Sequence, residues 1–375
     1  MPTLSTPGDY IRGVHAAARG RLRRYPAAIH SVLLSRFRYG IGPRLHSLFG
    51  LMDVPRARWG DYLLDEKVRV VLRRVNPASE REVVNDKLAF HEHCVANGLA
   101  TIPILCAIDK VAVGPDKAGI VARSEREWVE HLELAGDRVF IKLIDGSWGV
   151  DAFIVDRVGE RWHYCGETGS TADLYEFSMQ RLGPKRGWVV QPLVRAHAAL
   201  GKIMSPHALG TIRAVTCLAD GETRVLFATL RIPVGGNVTD NFSHGSSGNI
   251  IAPVDLETGE LGVCRGATSR AWPNLVEVPV HPDTGNPIPG FKIPLWRDVL
   301  ALLDRGQQSL PALKTLGWDI AVTDNGAVIV EANATYDVDI LQVSHQTGVA
   351  AVLNPQLEAN DSGGLARGRP TVGGA

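Results

Sequence analysis

A predicted β-hairpin at residues 319–333 constrains the fold of this chain more than any other feature. Asp319 is followed by an apolar stretch over 320–322, residues 323–326 give a turn signal that includes Asn325-Gly326, and an apolar run follows over 327–330. Two short apolar stretches joined by such a turn are typical of two antiparallel strands. The pattern therefore predicts a pair of strands in the C-terminal part of the chain.

Three oxygen-bearing side chains belong to this hairpin: Asp319, Glu331 and Asn333. Because strand side chains alternate between faces, Glu331 and Asn333 point the same way, and the antiparallel partner brings Asp319 within reach of them. Two carboxylates and an amide oxygen suit magnesium, which takes few protein ligands and leaves positions for water and phosphate oxygens. The sequence predicts a magnesium site here, and the alternative is an ordinary sheet edge with solvated polar side chains.

The amino-acid composition excludes several classes of protein. The chain has 375 residues, 45% of them hydrophobic, and its 40 Lys and Arg balance its 40 Asp and Glu, so the whole chain offers no electrostatic case for a nucleic-acid partner. It contains neither a run of 18 apolar residues nor a secretory pattern in its first 30 residues, and its five cysteines lack Cys-x-x-Cys spacing. We expect a globular, cytoplasmic protein with reduced thiols.

The order of helix and strand signals predicts an α+β protein with four segments. These are a basic helical segment at 1–84, a smaller α+β lobe at 85–187, a larger lobe with a mixed sheet at 188–352, and a disordered tail at 353–375. Helices are predicted at 10–18, 26–37, 65–74, 85–97, 295–303 and 310–316, and strands at 139–144, 188–194, 211–218 and 224–232.

The N-terminal segment is locally basic. Residues 1–60 hold ten Arg and Lys against two acids, Asp9 and Asp53. A solvated helical cap is one interpretation, and a contact with a membrane surface or a partner enzyme is the other. The apolar side of such a contact would come from Leu33, Leu34, Phe37, Leu48 and Phe49.

Lys142 lies inside an apolar strand, where an ammonium needs an anionic partner such as a phosphate oxygen. The loop at 145–149 follows at once, and its glycines allow backbone N–H groups to approach phosphates. The alternative is a strand lysine that reaches water before an ordinary tight loop. Lys87, at a predicted helix start, gives a weaker signal of the same kind.

Arg213 is a second cation within an apolar strand, on the same face as Thr211. It suits bidentate binding of a phosphoryl or carboxylate group, or else a structural salt bridge. The polar loop at 239–249 follows the next strand and is either a substrate loop or a simple connection. His244 in this loop is a candidate base toward an amine, or an ordinary polar histidine.

In chain order, these features resemble the ATP-grasp superfamily over about residues 85–345. The similarity is greatest to the sugar-transfer-associated ATP-grasp group. It rests on Thr211-Ile212-Arg213, Asp240-Asn241-Phe242, Glu331-Ala332-Asn333 and the later Gln342. The resemblance implies an ATP-grasp fold, in which two α+β lobes clamp ATP behind the N-terminal helical segment.

The resemblance also implies a role for each matching residue. Lys87 and Lys142 would contact ATP phosphates, Gly146, Ser147 and Gly149 would close over them, Gln191 and Leu193 would lie beside adenine, Arg213 would stabilise the transferred phosphoryl group, Asp319, Glu331 and Asn333 would hold magnesium, and Asp240, Asn241 and His244 would line the substrate loop. Two positions depart from the family pattern. Arg195 follows the hinge where an acid often binds ribose, and Trp148 is bulky for its loop.

The function implied is an ATP- and magnesium-dependent ligase that joins a small-molecule carboxylate to an amine through an acyl phosphate. The group's name points to polysaccharide or sugar-linked metabolite biosynthesis. One alternative is a kinase that phosphorylates a hydroxyl with the same metal site. Another is a non-catalytic nucleotide-binding module that docks through its basic helices.

Overall fold

The computed structural model describes residues 5–111, 119–146 and 151–360. Among these residues, no helix is both long enough and apolar enough to cross a lipid bilayer. The α-helices are α1 (Pro7–Ala18), α2 (Tyr25–Tyr39), α3 (Pro43–Leu48), α4 (Asp65–Val75), α5 (Ala78–Asn85), α6 (Lys87–Ala96), α7 (Glu125–Leu134), α8 (Thr171–Leu182), α9 (Trp296–Ser309), α10 (Asp339–His345) and α11 (Ala350–Asn360). Short 3-10 turns lie at Leu22–Arg24, Arg56–Asp61, Leu200–Ile203 and Ser243–Gly245.

The strands form two sheets. The first has the order β2-β1-β7-β3-β4-β5-β6 and the second has the order β12-β11-β10-β9-β8-β13-β14. Neighbouring strands are antiparallel except β1 and β2. The strands are β1 (Cys106–Asp109), β2 (Val121–Ala122), β3 (Arg138–Leu143), β4 (Phe153–Val158), β5 (Arg161–Tyr164), β6 (Glu167–Gly169), β7 (Gly187–Pro192), β8 (Ile212–Ala219), β9 (Glu222–Ile232), β10 (Ile250–Pro253), β11 (Arg265–Ala267), β12 (Leu275–Glu277), β13 (Thr315–Thr323) and β14 (Gly326–Asn333).

The first sheet packs on α7 and α8 around buried aromatic side chains, among them Trp128, Trp162 and Trp188. Strand β7 lies in the middle of this sheet, between β1 and β3. The predicted boundary at residue 187 is therefore wrong for this strand, which it assigned to the larger lobe. The continuous apolar run of β7 fits a central strand that is buried on both faces.

The second sheet has an apolar layer on each face. On one face, Trp318 and Ile320 of β13 pack against Val299 and Leu303 of α9. On the other face, the N-terminal helices meet the sheet, and Leu72 of α4 shares a cluster with residues of β8 and β9. The N-terminal segment is thus part of the core of the larger lobe.

Two buried side chains fix the N-terminal segment in place. Gln342 accepts a hydrogen bond from the backbone N–H of Leu63 (2.7 Å) and donates one to its carbonyl (2.9 Å). Asn76 donates to the carbonyls of Thr315 and Ala334, both at 2.8 Å. Buried amides paired in this way satisfy backbone groups that water cannot reach.

The predicted hairpin and most of the predicted helices are confirmed, and two further assignments are wrong. Residues 310–316 do not form a helix, because Thr315 and Leu316 pair with β8 as the start of β13. The predicted disordered tail begins too early, because α11 extends to Asn360 and buries Leu353 and Leu357. Residues 361–375 lie outside the described residues.

Gly317 marks a close approach of β13 to the segment after β14. A Cβ atom at this position would lie 2.6 Å from Cβ of Tyr336, whose ring is buried and whose hydroxyl bonds Thr315 at 2.7 Å. We expect Gly317→Ala to lower the free energy of unfolding by about 1–3 kcal/mol through overpacking. Urea denaturation measures the change.

Gly201 provides the matched control, because a Cβ atom there meets nothing within 4 Å. Gly201→Ala should change the free energy of unfolding by no more than about 0.5 kcal/mol. Equal stability of the two variants would contradict the packing of Tyr336 on β13.

Candidate active site

A cavity of about 1030 Å³ lies between the two sheets. The first sheet contributes Lys142 from β3 and Gln191 from β7, and the second contributes Arg213, Asp319 and Glu331 from β8, β13 and β14. Small-molecule sites typically span about 300–1,000 Å³. The cavity is at the upper end of that range, which leaves room for more than one small ligand.

One row of side chains crosses three adjacent strands of the second sheet. Glu331 pairs with Asp319, and Asp319 pairs with Arg213. The register of the hairpin shifts by one residue beyond Asp319, which leaves Val330 as an extra residue in β14. Without this bulge, Val330 would stand opposite Asp319 and Glu331 would face the core. The predicted common face of Asp319 and Glu331 is confirmed, and it depends on the bulge.

A buried ion network surrounds Asp319. Arg213 donates to both carboxylate oxygens, from Nε at 2.6 Å and from Nη2 at 3.2 Å. Arg231 reaches the same carboxylate at 2.8 Å and Oδ2 of Asp240 at 3.1 Å. Asp240 in turn accepts hydrogen bonds from the hydroxyl (2.6 Å) and backbone N–H (2.9 Å) of Thr211. Each charge in the network therefore has an opposite charge in contact.

The two carboxylates of this network respond differently to their surroundings. Burial would raise the pKa of Asp319, but Arg213 and then Arg231 outweigh it and hold that pKa below its ordinary value. For Asp240, burial dominates and raises the pKa despite the contact with Arg231. Asp319 is therefore the firmly ionised member of the pair.

Arg213 combines the two interpretations offered by the sequence. Its salt bridge to Asp319 uses Nε and Nη2, and its Nη1 makes no hydrogen bond with the described residues. A guanidinium carries five N–H donors in a rigid fork, so one end remains available to a ligand. The salt bridge is present, and the phosphoryl contact stays a prediction.

Arg231 is a site residue that sequence reasoning missed. It is 5% exposed and connects Asp240 to Asp319. The signal was available, because Arg231 interrupts the apolar end of β9 just as Arg213 interrupts β8. A cation inside an apolar strand predicts a buried anionic partner in both cases.

Lys142 and Lys87 approach the cavity from the first lobe, and they differ in their contacts. Lys87 donates to the carbonyls of Gly146 (2.6 Å) and Ile144 (3.3 Å), so it holds the start of the predicted phosphate loop. Lys142 makes no hydrogen bond or ion pair with the described residues. Burial and the nearby charge of Lys87 lower the pKa of Lys142 to about 8. An unpaired, half-buried ammonium of this kind fits an anionic ligand.

The predicted phosphate loop lies largely outside the described residues. Gly146 is described, and a Cβ atom there would lie 2.7 Å from Cβ of Leu143, which explains a glycine at this position. Ser147 and Gly149, predicted to close over the phosphates, lie outside the described residues, as does Trp148.

The side chains predicted to hold magnesium fit the ion to different degrees. The carboxylate of Glu331 makes no hydrogen bond or ion pair with the described residues, and Nδ2 of Asn333 is buried without a partner. Both oxygens of Asp319 already accept hydrogen bonds from guanidiniums. Glu331 therefore suits a cation that also binds phosphate oxygens. The unpaired Nδ2 of Asn333 is an N–H donor and suits a phosphate oxygen, so a cation would be held through its Oδ1. Asp319 would share its oxygens with two arginines, and its role as a ligand stays a prediction.

The residues predicted to lie beside adenine stand at the end of β7. Gln191 donates to the carbonyl of Ile102 at 3.3 Å, and the backbone N–H of Leu193 bonds the carbonyl of Arg138 at 3.4 Å. Both Gln191 and Leu193 line the cavity. Their contact with a nucleotide ring stays a prediction.

The predicted substrate loop also lines the cavity, but its residues differ in availability. Asp240 is committed to the ion network, and Oδ1 of Asn241 accepts a hydrogen bond from Arg231 at 3.4 Å. His244 pairs with Asp339, and this hydrogen bond outweighs burial and raises the pKa of His244. Of the three, His244 alone belongs to the second charged cluster described next.

A second charged cluster lines the cavity, and sequence reasoning missed it. Asp65 of α4 and Asp339 of α10 lie with His244 so that their ligand atoms are within 4.8 Å of one another. Asp337 is nearby and bonds Arg69. Burial and then the charges of Asp339 and Asp337 raise the pKa of Asp65. Asp65 comes from the N-terminal segment, so local sequence pattern gave no sign of this contact.

We expect Lys142→Met to stabilise the protein without ligand at pH 7. The pKa of Lys142 falls from 10.5 to about 8 on folding, so the folded protein binds fewer protons between these pH values. The destabilisation is complete below pH 8 and disappears as pH rises toward 10.5. The gain at pH 7 is at most about 3 kcal/mol, and cavity water will reduce it.

Urea denaturation at pH 7 and pH 10 measures this difference, with the exposed Lys202→Met as the control. If the stability difference between Lys142→Met and the original protein does not shrink at pH 10, the lowered pKa of Lys142 is contradicted.

We expect Arg231→Met to destabilise the fold, because it leaves the carboxylates of Asp240 and Asp319 short of a buried partner. Breaking a buried ion pair from one side typically lowers the free energy of unfolding by about 3–5 kcal/mol. Arg224→Met, at an exposed position on the same strand, is the control. The double variant with Asp240→Asn should lose less than the sum of the single variants in urea denaturation, and simple additivity would argue against the network.

Known proteins that are similar to this chain provide a second line of evidence about the site. No curated protein matches the sequence. Among solved structures, the chain is similar to N5-carboxyaminoimidazole ribonucleotide synthetase in an ADP complex (11% identity, TM-score 0.38, 68% of this chain and 45% of that chain). It is also similar to L-amino acid ligase from Bacillus licheniformis (12%, 0.38, 75% and 50%) and to D-alanine–D-alanine ligase from Bacillus anthracis (9%, 0.43, 76% and 70%). The chain thus spans about half the length of the first two.

The sequence itself gives the stronger result. The family described as sugar-transfer associated ATP-grasp matches residues 69–357, which is more than half of the chain and includes both sheets. The match begins within α4 and ends within α11. The two-lobed α+β architecture is accordingly the ATP-grasp fold. The chain belongs to the sugar-transfer associated ATP-grasp family.

Proposed function

We propose that this protein is an ATP- and magnesium-dependent ligase that joins a carboxylate to an amine. The observation that carries the proposal is the convergence of the unpaired Lys142 with Glu331 and Asn333 in a cavity between the two lobes. An unpaired cation beside two oxygen ligands suits a triphosphate with its metal. Membership of an ATP-grasp family supports the same ligand.

The first step would form an acyl phosphate. A carboxylate oxygen of the substrate attacks the γ-phosphorus of ATP, the bond from that phosphorus to the bridging oxygen breaks, and ADP leaves. Lys142 and Nη1 of Arg213, which have no hydrogen-bond partner among the described residues, would balance the negative charge of the phosphoryl group during transfer. Magnesium bound by Glu331 and Asn333 would neutralise phosphate charge during that transfer. No protein nucleophile is needed for this step.

The second step would use the charged cluster around Asp65. The incoming ammonium would lose a proton to the carboxylate of Asp65, the amine nitrogen attacks the acyl carbon, the carbon–oxygen bond to phosphate breaks, and phosphate leaves with the second proton of the nitrogen. Asp65 has no basic side chain as a hydrogen-bond partner among the described residues, whereas Asp337 bonds Arg69 and Asp339 pairs with His244. Opposite charges attract at this range even in a partly hydrated site. A carboxylate that is available to a cation supports an amine acceptor over the neutral hydroxyl that a kinase would use.

We place the substrate among polysaccharide precursors or other sugar-linked metabolites, and the supporting evidence is the family description. We further propose the cytoplasm as the compartment, because the reaction consumes ATP and the described cysteines are free thiols.

Glu331→Gln tests the proposal, because it removes a ligand charge and retains the size of the side chain. We expect magnesium-dependent ADP formation with carboxylate and amine substrates to fall by roughly 10²-fold or more, as for removal of other preorganised charged groups. Calorimetry with a non-hydrolysable ATP analogue, with and without magnesium, provides a readout that does not require the substrates.

The exposed Glu222→Gln, at the start of β9, is the control and should behave as the original protein. Full magnesium-dependent turnover by Glu331→Gln would refute the metal assignment. A phosphorylated product without an amide would identify a kinase. Nucleotide binding without turnover would identify the non-catalytic module, and absence of nucleotide binding by the original protein would refute the ligase, the kinase and that module alike.

A further inference from the structure

Helix α2 presents three large apolar side chains outward, whereas its Leu34 packs half-buried against the core. Ile29, Leu33 and Phe37 recur every fourth residue and are 45%, 39% and 81% exposed. The buried residues of the same helix are small: Ala28, Ser31, Val32 and Ser35. A helix that serves only the protein core has the opposite arrangement. The α2 stripe, defined as Ile29, Leu33 and Phe37, is therefore an apolar surface on the outside of the protein.

The surroundings of the α2 stripe are strongly basic. From residue 10 to residue 52 the sequence has eight arginines, no lysine and no acidic residue. The side chains of Arg21, Arg23 and Arg36 make no hydrogen bond or ion pair with the described residues. Leu22, which is 86% exposed, stands between two of these arginines. Arginines therefore come before the α2 stripe in the sequence and also lie next to its C-terminal end.

These features distinguish a contact with a second copy of this chain from a contact with a membrane. A symmetric contact with a second copy of this chain would bring the same arginines face to face, with no acid between residues 10 and 52 to balance them. An anionic lipid surface offers negative headgroups to the arginines and an apolar layer to Phe37 and Leu33 at the same time. A helix with Leu and Phe on one side and arginines around it is typical of helices that lie in a membrane interface.

We propose that α2 binds the surface of an anionic lipid membrane, with the α2 stripe inserted and the neighbouring arginines on the headgroups. The inserted side chains are already exposed, so binding requires no unfolding of the N-terminal segment. Helix α2 is itself fixed to the larger lobe, because Leu34 and Tyr39 pack against the core cluster that contains Leu72 of α4. This proposal is independent of the proposed reaction.

Co-sedimentation of the full chain with vesicles tests the membrane contact. We expect binding to vesicles that contain phosphatidylglycerol, none to pure phosphatidylcholine, and weaker binding as salt increases. Leu33→Ser/Phe37→Ser and Arg21→Gln/Arg23→Gln should each reduce the partition coefficient by roughly tenfold or more. The thermal midpoint should stay unchanged in the arginine variant, whose side chains are exposed, and should fall by a few degrees in the other variant, because Leu33 is 39% exposed.

Matched controls use exposed residues elsewhere. Leu134→Ser/Val158→Ser removes apolar side chains from the first lobe, and Arg297→Gln/Arg305→Gln removes arginines from α9. Both control variants should bind vesicles as the original protein does. Absence of binding at low salt, or full binding by Leu33→Ser/Phe37→Ser, would overturn the proposal. So would a dimer in analytical ultracentrifugation that this variant converts to a monomer, since the stripe would then serve a second copy.

Discussion

The contact of Asp319 with Arg213 and Arg231 is the interaction on which the cavity depends. It joins β13, β8 and β9 on the face of the second sheet that looks toward the first. Buried ions are tolerated only when each has a partner, so the positions of these three side chains are mutually determined. Asp240 extends the same constraint to the loop after β9. The charged floor of the cavity is thus a rigid unit of the larger lobe.

Three other polar side chains of the cavity are less constrained than this network. The network stabilises the structure, whereas these three remain available to a ligand. Lys142, Glu331 and Asn333 have no polar partner among the described residues, and they surround the fixed network from two lobes. A lysine with a lowered pKa and a carboxylate without a partner are unfavourable in an empty site. A ligand with phosphates and a cation would satisfy them together. Unpaired charges that lower the free energy of unfolding are consistent with a binding site.

Sequence periodicity was sufficient for the local structure and for the strand cations, but it failed where distant segments meet. The hairpin, the helices and the positions of Lys142 and Arg213 follow from apolar patterning and turn signals. Strand β7 was assigned to the wrong lobe, because a buried run does not reveal which strands flank it. Asp65 was missed because it reaches the cavity through the docking of α4, which depends on Gln342 and Asn76. The bulge is visible in the spacing of the core residues, which changes from the odd positions Ala327 and Ile329 to Ala332 in β14 and Ala334 just after it.

The bulge at Val330 has a consequence for insertions and deletions in this family. The two faces of β14 meet opposite environments, with a hydrocarbon-like core on one side and a charged cavity on the other. Adding one residue between the turn and Glu331 would exchange those environments for every side chain that follows, whereas a change of two would preserve them. Length variation in this hairpin should therefore occur in steps of two, or be accompanied by the gain or loss of a bulge.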